Sequence, residues 1–539
     1  MIKKINSDHR HPLAFPRAFQ LAGGNLAWIM AVVSGLLLSG CFPDTEWSWL
    51  SWGCLSPFLL ALAGASSGAA FRLGIIFGMS HFFTLLYWII PFLYEFAGLA
   101  YIVAVPVHVI FSFVLSLFPA AVSWLMVKSR LGAVEALCLF PFFWVSSEFC
   151  RMYVLSGFPW ELLGYSQYRQ IEWIQCADIF GVYGISFLVA ASNGVITLLI
   201  LSINRLPWQG SKVRLSVAVA VCCLTGALFG WNWGYGRAQL SVIGQKDIPV
   251  ARVGIVQGNV DQAIKWDADQ QAATLTKYLG LSHSLLKDQP DVIIWPETAA
   301  PFYFPFDQAL TDIVIAGVRH AGTAFLVGAP SVWQEARDLA YYNSAFLLDS
   351  KGEIKGRYDK VHLVPFGEYV PAWLPFVKKI VAEVGDFKTG QPGRVLTADR
   401  IQIGTLICYE GIFPDLARKM TLSGANLLVN MTNDAWYGRS SAPYQHFSHS
   451  VFRAIENRRA IVRAANTGVS AYIEATGRIL ETTGIFEDAA LVRPVGLERV
   501  ETFYTHHGDI FAWGCLILSF SIFLWIFWHR RRSGAGIHR

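Results

Sequence analysis

Hydropathy along this chain is divided between long apolar runs and one long polar interval, and that division leaves few folds open. Apolar runs recur at residues 24 to 41, 50 to 66, 73 to 94, 98 to 127, 131 to 150, 179 to 202 and 214 to 232, and once more at 509 to 528. Each approaches the ~20 residues that a helix needs to cross a bilayer core. Between the seventh and eighth runs lie about 270 residues of ordinary charge density, with Pro/Gly turns and short alternating segments. That interval is long enough to bury a core of its own. The expected architecture is a polytopic α-helical membrane domain with eight spans plus an α/β domain. Residues 1–234 would hold seven transmembrane helices, 235–508 the extramembrane domain, and 509–539 the eighth helix and a tail. A hydrophobic fraction of 54% and a charged fraction of 15% agree with a chain that lies largely in lipid.

Basic residues set the orientation. Lys3, Lys4, Arg10 and Arg17, then Arg72, then Lys128 and Arg130, then Arg205, Lys212 and Arg214, then Arg530 to Arg532 fall in one set of alternate loops and ends. The other set carries Asp44, Glu46 and Glu95, and in its third loop only Arg151 and Arg169. By the positive-inside rule both termini are cytoplasmic and the large domain faces the other side, the periplasm if the membrane is a bacterial inner one. "LLLSGC" at Leu36 to Cys41 also matches a lipoprotein signal box. The long charged region before it contains Pro12 and Pro16 and six further spans follow, so a retained first helix is the simpler account. A net charge of only +5, with the cations in short clusters rather than along one face or in an arm, gives no case for nucleic-acid binding.

Of nine cysteines, eight (Cys41, Cys54, Cys138, Cys150, Cys176, Cys222, Cys223 and Cys515) lie in or beside the apolar runs, where Cys behaves as a small apolar residue. Cys408 alone belongs to the large domain. A lone thiol in an oxidising compartment is a chemical liability with no disulfide partner in its domain. It is either a buried inert residue or a nucleophile.

Within the polar interval, strand-like and helix-like segments alternate, and functional groups follow the strands. "DVIIWP" leads to Glu297, "EIKGRYD" to Lys360 and "QIGTLI" to Cys408, while "NLLVNMTNDAWYG" repeats the pattern of an apolar strand ending in polar groups. Ligands and reactive groups of α/β sheets gather at such carboxyl ends. A thiol is a weak nucleophile at neutral pH until a base takes its proton or a cation steadies the thiolate. A carboxylate, an ammonium and a thiol together supply base, cation and nucleophile.

The words carrying these groups, "WPET", "RYDKVHLVPFGEYVP" and "CYEGIFP", resemble the three catalytic blocks of the nitrilase superfamily, whose fold is an αββα sandwich. Set between a seventh and an eighth span, and with "GFPWELLGYSQ", "VQGNV", "KWD", "YNSA", "TNDAWYG" and "RAANTGVSA" alongside, the chain is similar to the bacterial apolipoprotein N-acyltransferases. That resemblance implies transfer of a fatty acyl chain from a phospholipid to the amino group of a lipoprotein's N-terminal diacylglyceryl-cysteine. It also implies roles: Glu297 as general base, Lys360 as cationic stabiliser and Cys408 as nucleophile. Glu368, Tyr409, Glu410 and Trp266 would support them. The partners implied are membrane phospholipid and diacylglyceryl apolipoprotein, with the chain acting as a monomer and without metal or other cofactor.

Read from the residues alone, several of these remain two-sided. Glu368 is either a second carboxylate orienting Lys360 or a turn acid after "PFG", and Tyr409 and Glu410 either cap the helix near Phe413 or position the thiol. His446 and His449 have the spacing of a helical metal pair, but no acidic or thiol ligands accompany them in a recognisable motif. "PFYFPF" (Pro301 to Phe306) and "PAWLPFVKKIV" (Pro371 to Val381, with Lys378 and Lys379) are expected to be either core or apolar loops dipping into the outer leaflet. Two rival functions stand beside acyl transfer. One is a membrane-tethered amidase using the same trio with water as acceptor. The other is a transporter with a sensor domain, for which Glu135, Glu148, His81 and His108 within the apolar runs are thin support.

Overall fold

The computed structural model describes residues 25–243, 248–335, 338–370 and 386–534. The basic N-terminal tail and the "PAWLPFVKKIV" segment lie outside these residues. Among the described residues five helices are long and apolar enough to cross a membrane: Ser67–Leu85, Tyr101–Lys128, Ala133–Tyr153, Ala177–Ile203 and Leu215–Ile243. The apolar helices Asn25–Ser39 and Ile510–Gly534 accompany them.

The second apolar run does not form one continuous helix. A short 3₁₀ segment, Ser48–Trp52, precedes a helix of only seven residues, Ser56–Leu62, with a proline in its first turn. Seven helical residues rise about 10 Å, too little to cross alone. The flanks nevertheless sit at opposite ends of the bundle. Glu46 pairs with Arg169, in the loop after Ala133–Tyr153, at 2.8 Å. The Ala63 carbonyl accepts from the backbone of Gln209, in the loop after Ala177–Ile203, at 2.7 Å. Arg151, read from sequence as a loop residue, instead ends the Ala133–Tyr153 helix, where it is buried with its guanidinium 5.2 Å from the Phe82 ring.

The large domain contains two six-stranded sheets. The first runs in the order β12 (Ala489–Gly496), β1 (Val250–Gln257), β2 (Val292–Ile294), β3 (Ala324–Glu335), β4 (Asp338–Leu348), β5 (Ile354–Asp359). The second runs β11 (Ile479–Thr482), β10 (Ala471–Ile473), β9 (Ala460–Ala465), β8 (Leu427–Thr432), β7 (Ile401–Ile407), β6 (Val395–Ala398). Each has a parallel centre, β1–β2–β3 and β7–β8–β9, with antiparallel strands outside it. Alternation sorts the side chains between faces. Ile293, Trp295, Phe325 and Val327 join Leu275, Tyr278, Val314 and Val318 of the covering helices Ala268–Ser284 and Gln308–Ala321. Their neighbours Val292, Ile294 and Leu326 belong to the core shared with the second sheet. Helices Pro414–Leu422 and Ala442–Asn457 cover that sheet's other face, completing an αββα sandwich.

The Ala442–Asn457 helix also faces the membrane bundle, so it is buried on both sides. Gln445 Oε1 accepts from the indoles of Trp88 at 3.1 Å and Trp160 at 2.8 Å. Its amide nitrogen donates to the carbonyls of Pro43 and Leu85. Arg453 reaches the Tyr165 hydroxyl at 3.0 Å, Glu456 accepts from the backbone of Val182 at 3.2 Å, and Arg458 pairs with Asp178 at 2.6 Å. Gly181 makes this junction possible. Its φ of 63° and ψ of −172° break the Ala177–Ile203 helix, and a Cβ there would lie 2.7 Å from the Tyr504 ring. That backbone region is nearly exclusive to glycine.

Candidate active site

Glu297, Lys360 and Cys408 each stand immediately or within three residues beyond a strand end, after β2, β5 and β7. The turn carrying Glu297 presses against β3 at Gly328, where a Cβ would collide with the Pro296 carbonyl and come within 2.9 Å of Glu297 Cα. Lys360 is anchored at both backbone atoms: its N–H donates to Asn343 O at 2.8 Å and its carbonyl accepts from Gly390 at 2.9 Å. All three side chains are enclosed, Glu297 at 6%, Lys360 at 1% and Cys408 at 5% exposure.

Glu297 and Lys360 belong to one network of contacts, and both act on the Cys408 thiol through their charge. Lys360 Nζ lies 3.3 Å from Glu297 Oε1 and 2.9 Å from Glu368 Oε2. Asn343, inside β4, donates its amide to Glu297 Oε1 and to Glu368 Oε1, each at 2.8 Å. The backbone of Asn433 donates to Glu297 Oε2 at 3.0 Å. Glu368 is therefore not merely a turn acid: besides accepting from Val364 N at 2.8 Å, it is a second carboxylate on the Lys360 ammonium.

Electrostatics show what this arrangement can do. Burial alone would lower the Lys360 ammonium, but Glu368, Glu297 and Cys408 outweigh it and hold the charge above the ordinary lysine range. Burial and the negative charge of Glu297 push the Cys408 thiol up, against the pull of Lys360. The resting sulfur is thus protonated, beside a carboxylate able to accept its proton and an ammonium able to steady the charge that follows.

The backbone at Cys408 is constrained. Its φ is 53°, in the left-handed region that costs a non-glycine residue about 1–3 kcal/mol. The Cys408 carbonyl accepts from Asn430 Nδ2 and His446 Nε2, both at 3.2 Å. His446 Nδ1 meets Asp434 at 2.9 Å, and Arg463 bridges Asp434 and Asn430. Burial would raise the Asp434 carboxyl, but Arg463 and His446 hold it down at about 2. His446, weighed in the sequence as half of a metal pair, thus grips the backbone of the nucleophile, while His449 Nδ1 contacts the Gln445 carbonyl at 2.9 Å.

Glu410 ties two strand ends together. Its carboxylate accepts from the backbone N–H groups of Ile407, Val361 and His362 and from the Tyr358 hydroxyl. Burial lifts its carboxyl to about 7 against the pull of those N–H groups and of Lys360. Tyr409 turns toward the bundle, where its hydroxyl donates to the Gly157 carbonyl at 3.3 Å.

Trp266 is 50% exposed; its neighbour Lys265 is the enclosed residue, with Nζ 3.4 Å from the Glu297 carbonyl. In "PFYFPF", Phe302 and Phe304 are core residues beside Phe346, because the segment runs along β3 through Ala300 N to Gly328 O and Phe304 N to Pro330 O. Only Tyr303 and Phe306 are exposed. Asn343, Asn430, Asn433 and Lys265 were not singled out from sequence. "YNSA", "TNDAWYG" and "KWD" had flagged the first, third and last of these positions without a role.

Comparison with known proteins matches these features. Residues 34–195 fit the family model for the apolipoprotein N-acyltransferase N-terminal domain, and residues 252–504 the model for carbon-nitrogen hydrolases. Apolipoprotein N-acyltransferase of Geobacter metallireducens is 42% identical over 492 residues, covering 91% of this chain and 93% of that protein. Its counterpart from Methylococcus capsulatus is 34% identical over 525 residues, covering 95% and 98%. The one from Chlorobaculum tepidum is 31% identical over 518 residues, covering 91% and 94%. With that similarity running through both the bundle and the sandwich, the chain belongs to the apolipoprotein N-acyltransferase family, whose catalytic domain has the nitrilase-like carbon-nitrogen hydrolase fold.

Proposed function

We propose that this protein moves a fatty acyl chain from a membrane phospholipid to the amino group of diacylglyceryl-cysteine in apolipoproteins, with Glu297, Lys360 and Cys408 carrying the chemistry. Glu297 takes the proton of Cys408, and the sulfur attacks an ester carbonyl of the phospholipid. Lys360 stabilises the oxyanion. The acyl carbon–oxygen bond breaks, the proton passes from Glu297 to the leaving oxygen, and lysophospholipid departs. The lipoprotein amine then attacks the thioester, its proton passes to Glu297, and the carbon–sulfur bond breaks to give an amide and to restore the thiol. Neither half-reaction requires a cofactor.

The observation carrying this reading is the enclosed Glu297–Lys360–Cys408 set in a chain whose family relationship spans bundle and sandwich together. In this proposal all eight apolar segments cross a bacterial inner membrane, the second as a broken pair of helices. Both termini are cytoplasmic, the sandwich is periplasmic, and a monomer suffices. The bundle favours an amine acceptor over water: Tyr409, beside the nucleophile, is joined to the bundle's Gly157, so the thioester forms beside lipid-facing structure in a poorly hydrated place.

Intact-mass analysis of the full-length protein from membranes tests this. The expected result is an acyl adduct on wild type, absent from Cys408→Ala, released by hydroxylamine and discharged by a diacylglyceryl peptide to N-acyl peptide. Free fatty acid without N-acyl peptide would establish a hydrolase instead.

A further inference from the structure

The site holds a second ammonium that the mechanism above leaves without a task. Lys265 is 0% exposed, and among the described residues its Nζ makes one long hydrogen bond, 3.4 Å, to the backbone oxygen of Glu297. Burial pushes this lysine down to about 8, with the charge of Glu297 opposing. Sealing an ammonium away from water for one such bond is unfavourable, and a neutral side chain could satisfy that carbonyl as well. The placement is also fixed. Asn259 N and Val260 N donate to Asn466 O and Oδ1, and Gln262 accepts from Asn433 Nδ2 at 2.7 Å. The same Asn433 donates its backbone N–H to Glu297 Oε2.

Charge balance supplies the task. Glu297 and Glu368 both draw on Lys360, and that trio with the thiol protonated carries one net negative charge. Two carboxylates sharing one cation tend to retain a proton between them, and a protonated Glu297 cannot deprotonate Cys408. Lys265 brings the enclosed set to neutrality. Among the described residues the charged group facing Lys265 is Glu297; around Glu297 stand Lys360, the Cys408 thiol, the Tyr437 phenol, the Asn343 amide and the backbone N–H of Asn433, with Glu368 sharing Lys360. Asp261, Asp267 and Asp269 on or beside its own loop are exposed to water.

We propose that Lys265 is a positioning residue for the base, supplying the second positive charge that keeps Glu297 ionised at neutral pH while Glu368 retains Lys360. The proposal rests on the acyl-transfer reading. Removing the cation disfavours the carboxylate, so the base keeps its proton to higher pH and the acid limb of the acylation profile moves upward.

The test measures the rate of Cys408 acylation by intact mass from pH 5 to 8.5. It uses full-length wild type, Lys265→Met, Lys265→Gln and Lys265→Arg with phospholipid vesicles. The expected acid limb of Lys265→Met lies one pH unit or more above wild type, a roughly tenfold loss at pH values on the limb, as for a carboxylate deprived of a nearby cation. Lys265→Arg keeps the wild-type limb. If Lys265→Met does not fold, Lys265→Gln, which retains the hydrogen bond to Glu297, carries the same expectation. An unchanged limb in the neutral variants overturns the proposal, including when their rates fall equally at every pH, the mark of a structural role. Absence of any adduct on wild type overturns the acyl-transfer reading instead.

Discussion

Glu410 makes no contact with the base, yet it sets the distance between nucleophile and cation. By accepting from Ile407 N before the thiol and from Val361 N and His362 N after Lys360, it joins the ends of β7 and β5. A glutamine there has one acceptor oxygen, and its NH₂ group must face at least one of those N–H donors. Each buried donor left unsatisfied costs about 1–3 kcal/mol. Glu410→Gln is therefore expected to lower Cys408 acylation at least tenfold and to lower the melting temperature. An acylation rate equal to wild type in a folded variant would refute the tie. Glu297 and Cys408 were legible because each follows an apolar strand that stops abruptly, and Lys360, after the polar strand Ile354–Asp359, through the sequence block that carries it. Glu410 itself was visible as a candidate but not its role, which depends on two strands remote in sequence. Asn343 and Lys265 were harder still: one lies inside a strand and the other in a loop, and nothing in their local pattern shows what their side chains face.

At the level of elements, periodicity served well where a segment meets one environment and poorly where it meets two. The alternation of strand-like and helix-like runs correctly announced an α/β domain, and the resemblance supplied the sandwich, in which each face of the first sheet has its own apolar partner. The second apolar run looked like one continuous helix because hydropathy counts residues and does not register the break between Ser48–Trp52 and Ser56–Leu62. "PFYFPF" was open to a core or a membrane-loop reading; its first two phenylalanines enter the core and only Tyr303 and Phe306 face outward. Gly181 is the element-scale residue hidden most completely, a single glycine in an apolar run. Gly181→Ala must place a methyl group against Tyr504 and adopt a φ of 63° with a ψ of −172°. A loss of about 2 kcal/mol or more is expected, seen as a lower melting temperature and reduced yield in membranes. A variant with unchanged melting would mean that the helix can straighten without cost.

For the molecule as a whole, the question is whether the sandwich is an independent enzyme tethered to a membrane or one half of a single body. The Ala442–Asn457 helix answers it, since every one of its sixteen residues except Tyr444 is buried. A covering helix of a free-standing sandwich would leave one face to water. Here that face presents Gln445, Arg453 and Glu456, whose partners Trp88, Trp160, Tyr165 and Val182 all belong to the bundle. Cutting the chain would strip those partners and also free Tyr409 from Gly157. Residues 248–505 produced alone are therefore expected to aggregate or to elute as a non-uniform species. Any soluble fraction should acylate Cys408 from short-chain esters far more slowly than the full chain does. Co-expression with residues 1–243 should restore a complex recoverable from membranes, because the lost contacts are hydrogen bonds of side chains to side chains and backbone that two separate chains can re-form. If the isolated sandwich instead proves monomeric and fully active on soluble esters, the bundle is only an anchor. The amine-over-water preference would then have to reside within the sandwich itself.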